Sequence, residues 1–135
     1  QFIKDCPAEE LDKLSSFTVS FLDRYFRYIC GVGDPMSSYQ QLAAYLELGA
    51  ELDQRMQVAM DGLGWSHTSS VKVDSSQLNG AVDLGDGFYL LDVSASTTVY
   101  YPGKGETGEV NNDQNMKIIV RETAGDIRAI SLELY

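Results

Sequence analysis

The hydrophobic period of this chain changes once, and that change constrains the fold more than any other feature. Before Gly64 apolar residues recur at helical spacing, and from Ser69 onward they alternate with polar ones. Strands joined by tight turns pair as an antiparallel meander, and helices that all precede them must cover one of its faces. The expected fold class is α+β, with three N-terminal helices packed on a bent four-stranded antiparallel sheet. At 135 residues the whole chain, 1–135, fits a single domain.

The first helix is announced by Asp5-Cys6-Pro7, which sets Pro at a first helical position, with Glu9 and Glu10 near the positive end of the dipole. Leu11, Leu14, Phe17/Thr18, Phe21/Leu22, Tyr25/Phe26 and Ile29 form its apolar stripe, and Gly31 and Gly33 end it. Asp34-Pro35 repeats the start signal for a second helix with Leu42, Tyr45 and Leu46 on its apolar face. Beyond Gly49, Leu52, Met56, Ala59/Met60 and Leu63 mark a third helix, closed by Gly62 and Gly64.

In the second half Val71 and Val73 alternate with Lys72 and Asp74, after which Leu78, Val82 and Leu84 fall on the other parity. A one-residue bulge near Ser75-Ser76 restores the register. Asp83-Leu84-Gly85-Asp86-Gly87 is a hairpin turn. Tyr89, Leu91, Val93, Ala95, Thr97, Val99 and Tyr101 then face one way, and Asp92, Ser94, Ser96 and Thr98 the other. After a loop from Pro102 to Gly108, Met116, Ile118 and Val120 alternate, Ala124-Gly125-Asp126 turns, and Ile130, Leu132 and Leu134 mark the last strand.

Twenty acidic residues against ten basic ones give a net charge of −10. That balance repels phosphate, and no basic stripe offsets it, so nucleic acid and anionic lipid are not expected partners. No apolar run approaches the roughly 20 residues that span a bilayer, so membrane association would come only through a segment preceding Gln1. A chain that begins at Gln1, without an initiator Met or a charged-then-apolar leader, reads as a mature product or as a piece of something longer. Cys6 and Cys30 stand at opposite ends of the first helix, about 36 Å apart at about 1.5 Å per residue. A disulfide requires Cα atoms within about 7 Å. Free thiols are therefore expected, with Cys30 buried as a small apolar residue.

The element order resembles the nuclear transport factor 2-like superfamily, an α+β cone of cystatin-like topology. Leu22-Asp23-Arg24-Tyr25-Phe26, the stretch from Leu46 to Leu63, and Gly64-Trp65-Ser66-His67 are similar to uncharacterised domains of Gram-positive bacteria. So are Gly87-Phe88-Tyr89-Leu90-Leu91-Asp92-Val93-Ser94 and Arg128-Ala129-Ile130-Ser131. The resemblance implies an extracytoplasmic domain, secreted or membrane-anchored. The superfamily holds isomerases, dehydratases and epoxide hydrolases that work inside the cone, beside many non-catalytic adaptors, so fold does not choose between them.

No residue cluster names a reaction. His67 is the only histidine, and its neighbour Ser66 points the other way on an extended segment, so the two make no nucleophile pair. Thr68 stands where a G-x-S-x-G elbow needs its second glycine. Asp74 and Asp92 carry the outward parity, and Asp23 sits on a solvent-facing stretch of the first helix with Arg27 nearby. Gly31-Val32-Gly33 follows a helix instead of a strand, and Gly103 to Gly108 lacks the ending of a phosphate loop, so no cofactor is expected. One His and two distant Cys make no metal site, and Asp83 and Asp86 lack calcium-loop spacing.

Tyr25, Tyr45, Trp65 and Tyr89 are the candidate pocket residues, an apolar wall with hydroxyl tips where the helices meet the sheet. The competing reading is that these rings fill the cone. Two functions follow: a non-catalytic binding or scaffolding domain, with a protein partner or a second copy docked on the sheet, or a small-molecule binder or enzyme using the cone interior. For a dimer, the outer row Ser94, Ser96, Thr98 and Tyr100 is the expected face.

Overall fold

A computed structural model describes residues 8–63, 70–100 and 109–135. Three helices, α1 (Ala8–Ile29), α2 (Pro35–Ala43) and α3 (Glu51–Leu63), precede four strands, β1 (Ser70–Gly85), β2 (Phe88–Tyr100), β3 (Glu109–Thr123) and β4 (Asp126–Leu134). The strands form one antiparallel sheet in the order β1-β2-β3-β4. The α+β architecture expected from the period change is the one observed.

Every helix and strand contributes to one buried cluster. From α1 come Leu14, Phe17, Phe21, Leu22, Tyr25, Phe26 and Tyr28; Leu42, Leu46, Leu52 and Met56 follow; and the sheet supplies Leu91, Val93, Met116, Ile118, Val120 and Leu132. Each large apolar side chain so buried stabilises the fold by about 1.5–3 kcal/mol. Tyr28 also donates its hydroxyl to the Met56 carbonyl, fixing α1 to α3. Leu11, at the start of the expected stripe, is 37% exposed.

Local pattern fails where long-range pairing intervenes. Helix α2 starts as expected, with the Asp34 carboxylate accepting from Ser37 N at 3.0 Å. It ends at Ala43, however, so Tyr45 and Leu46 are not on its face. Instead the Ala129 amide donates to Tyr45 O (2.7 Å) and the Glu47 amide to Ala129 O (2.9 Å), a parallel bridge that ties Leu46 to β4. Pairing with the sheet outweighs helix propensity there.

Strand β1 carries the expected bulge, between Val73 and Ser75, and a second one between Leu78 and Gly80. The second reverses the parity again. Leu78 points inward opposite Val93, but Val82 lies opposite Leu90 on the outer face, and Leu84 is exposed at the turn. Likewise β4 has a bulge at Ile130, since Ile119 pairs with Ser131 while Val120 pairs with Ala129. Ala129 and Leu132 are the buried residues of that strand, and Leu134 is exposed. The hairpin between β3 and β4 holds Ala124 at φ 54 and Gly125 at φ 88, a left-handed pair that suits Asn-Gly better than Ala-Gly.

Candidate functional site

The candidate tyrosines sit on different elements, and packing brings two of them into one row of rings. Tyr25 on α1 is buried and stacks on Phe21 (centroids 5.7 Å apart) while meeting Phe26 edge-on at 5.3 Å. Phe21 stacks on Phe17 at 5.5 Å, and Phe17 meets Tyr45 edge-on at 6.0 Å. The row therefore runs Tyr45, Phe17, Phe21, Tyr25, Phe26, with spacings at which aromatic pairs gain energy beyond area burial. Burial pushes the Tyr25 phenol up from its ordinary pKa. Tyr89 is half-buried on β2, opposite Val120 and packed against the same cluster. Trp65 and His67, like Cys6, lie outside the described residues.

Where that row reaches the surface there is an open groove of about 470 Å³ between α1, the 44–45 segment and the β3–β4 hairpin. Phe17, Tyr45 and Ile127 give it an apolar wall, Ser16 and Ser20 supply hydroxyls, and Asp12, Lys13 and Asp126 stand at its edge. Lys13 is already engaged: it donates to Glu122 and lies 3.6 Å from Glu10. Burial, then Glu122, raises the Glu10 carboxyl above the ordinary range, whereas the hydrogen bond from Lys13 holds Glu122 below it. The Arg24 guanidinium lies 6.0 Å from the Tyr45 ring centre. The groove can take a small flat group against the two rings.

None of the weighed carboxylates faces the inside. Asp23 is paired to Arg24 at 2.6 Å, not to Arg27. Asp74 accepts from the Thr98 hydroxyl, and Asp92 from the Tyr135 hydroxyl, both on the outer face. Among the described residues the buried acid is Asp53, 1% exposed, at the start of α3. It accepts from Tyr39 Oη, from Gly49 N at 2.8 Å and from Gln57 Nε2 at 2.9 Å. Those three donors satisfy it and join α2 to α3. Burial, then the bond to Asp53, pushes Tyr39 up to about 12. The one signal for it was an acidic residue in the first turn of a helix.

Cys30 is a free thiol, half-buried just after α1 instead of fully buried. Burial raises its pKa, which makes it a poor nucleophile. Among the described residues no three His, Cys, Asp or Glu stand close enough to hold a metal, and no helix is long and apolar enough to cross a membrane.

No family model matches the sequence, and no curated protein does. Solved structures match the fold. One is an Ntf2-like protein involved in plasmid conjugation, similar over 100% of this chain with a TM-score of 0.61 at 15% identity. The chain spans 42% of that protein's length. The intermembrane space region of the chloroplast protein ARC6 matches over 97% of this chain and 98% of its own, with TM-score 0.64 and 7% identity. A periplasmic fragment of TraM matches over 89% and 96%, with TM-score 0.54 and 7% identity. The fold is NTF2-like, and at these identities the likeness extends to fold alone.

Proposed function

We propose that this chain is a single non-catalytic domain that binds or scaffolds another macromolecule outside the cytoplasm. The observation that carries the reading is the filled inner face. Leu14, Phe21, Leu22, Phe26, Leu91, Val93, Met116 and Ile118 are buried against one another there, where a catalytic member of such a fold keeps its substrate. Asp74 and Asp92 point away from that space, Glu122 at its edge is held by Lys13 of α1, and the buried Asp53 is spent on three structural hydrogen bonds. Similar folds described as periplasmic, as an intermembrane-space region and as part of plasmid conjugation support both the compartment and the adaptor role.

The groove beside Tyr45 favours a second reading, a small-molecule binder or an isomerase- or dehydratase-like enzyme with Phe17, Tyr45 and Ile127 as its apolar wall. Thermal-shift measurements against a panel of small apolar and aromatic compounds separate the two. A scaffold shows no saturable stabilisation. A saturable rise that Tyr45→Ala or Tyr25→Phe abolishes would overturn the scaffold reading, since ligand bound only to the native state stabilises it by mass action.

A further inference from the structure

We infer that the contact between the start of α1 and the end of β3 is a proton-operated latch. Glu10 and Glu122 share one proton there, and it holds the first turns of the helix to the sheet. The inference depends on neither functional reading above. Two carboxyl groups and one ammonium meet at this point. Lys13 donates to Glu122 and lies 3.6 Å from Glu10 Oε1. Both glutamate side chains are only 17% exposed, and the Glu122 carboxyl is within hydrogen-bond reach of Glu10. The second oxygen of Glu10, Oε2, is closed off from solvent and has no hydrogen-bond partner among the described residues. Lys13 can neutralise one acid and not both.

A buried carboxylate oxygen without a donor is costly, and two carboxylates in contact do not both ionise readily. One proton answers both difficulties. On Glu10 it turns the orphaned acceptor into a donor to Glu122, while Glu122 keeps its charge and its bond from Lys13. The directions agree: burial and Glu122 raise Glu10, and Lys13 lowers Glu122. The positive end of the α1 dipole favours the Glu10 anion, so the proton is exchangeable and not locked in place. Glu122 and Lys13 are the charges that act on Glu10. On the elements around the pair, Arg121 of β3 is bound to Glu47 at 2.9 Å and Asp126 of β4 to Arg128 at 3.2 Å. Glu9 and Asp12 of α1 and Asp86 of the β1–β2 turn are exposed.

Because Glu10 is raised above its unfolded value of 4.5, its share of the latch is complete below that pH and is lost as pH climbs through the raised value. Glu122 is lowered, so its share is present above 4.5 and is lost as pH falls through the lowered value. The latch is tightest with one proton on the pair, in mild acid, and slackens on either side. Burial of apolar residues along α1 begins at Leu14, and Leu11 is 37% exposed, so the first turn leans on the latch. Asp12 and Lys13, which border the groove beside Tyr45, lie on the turns that the latch releases. Loss of the proton therefore reshapes that edge of the groove.

Amide hydrogen exchange read by NMR from about pH 4 to about pH 8, with titration of the glutamate carboxyl carbons, tests this. The amides to follow are those of Asp12 and Lys13, which donate to the carbonyls of the first turn. Phe21, deep in the same helix, is the control. Wild-type protection factors at Asp12 and Lys13 should fall about tenfold or more between about pH 5 and about pH 8, while that of Phe21 changes less than about twofold. Glu10 should titrate above Glu122. Glu10→Gln carries a permanent donor to Glu122 and should keep its mild-acid protection at about pH 8, within about twofold. Glu10→Ala has no donor at any pH and should exchange at the fast rate throughout. Wild-type protection that is the same at both ends of the range overturns the inference, as does a Glu10 that titrates at or below Glu122. So does a pH-dependent loss that survives Glu10→Gln, or a Glu10→Ala variant as well protected in mild acid as the wild type.

Discussion

The two faces of the sheet start from one alternating pattern and end in opposite states. On the inner face Leu91, Val93, Ala95, Thr97 and Val99 of β2 are all buried, and the chain's own helices supply most of the cover. On the outer face Leu90, Asp92, Ser94 and Ser96 of the same strand are partly exposed. Strand alternation says which residues share a face, and helix stripes say which face is covered. Neither says what, if anything, covers the second face. In this molecule the inner face carries the stability, and the outer one is where recognition has room to act.

Substitutions on the two faces put numbers on that contrast. Phe21→Ala should cost about 3–5 kcal/mol, because a cavity remains where the ring joined its neighbours, and Leu90→Ala less than about 1 kcal/mol in a monomer. Chemical denaturation measures both; equal losses would break the comparison. Next comes polar burial. Asp53→Ala strands the Tyr39 hydroxyl and the Gly49 amide and should cost about 2–4 kcal/mol, against less than about 0.5 kcal/mol for the exposed Asp113→Ala.

The same pair can be followed by pH. Tyr39 has a folded pKa raised from about 10 to about 12, so its contribution is complete below pH 10 and is lost as pH rises through that interval. Ultraviolet titration should show one tyrosine ionising last, and Tyr39→Phe should remove it. The smallest effect belongs to neither face. Ala124→Asn relieves a left-handed alanine in the β3–β4 turn and should raise stability by about 1 kcal/mol; no change in the unfolding midpoint would show that the turn stores no strain.

Much of this fold was legible because its determinants are local. The α1 stripe and the β2 alternation depend on near neighbours, and both predicted burial well. Tyr45 and Leu46 were misplaced because the Tyr45 carbonyl and the Glu47 amide on either side of Leu46 pair with Ala129, far along the chain, where no periodicity reaches. Val82 was misplaced because a second bulge, at Asn79, undid the parity slip that the first one left visible. Of the candidate site, Tyr25 and Tyr45 do meet through Phe17 and Phe21. The groove beside them depends on the β3–β4 hairpin lying against α1, a relation no single segment encodes. Asp53 stayed hidden because an acid in a first helical turn usually faces solvent, and its burial depends on Tyr39 from another helix.

The parallel bridge at Leu46 bears on aggregation. An edge strand offers unpaired donors and acceptors to any other chain, and edge-to-edge growth is how soluble sheets begin fibrils. Here the Tyr45 carbonyl and the Glu47 amide occupy Ala129 on the β4 edge, while the register shifts along β1 make the opposite edge a poor template. With both edges blunted, a second chain finds no regular row of donors and acceptors on which to add a strand.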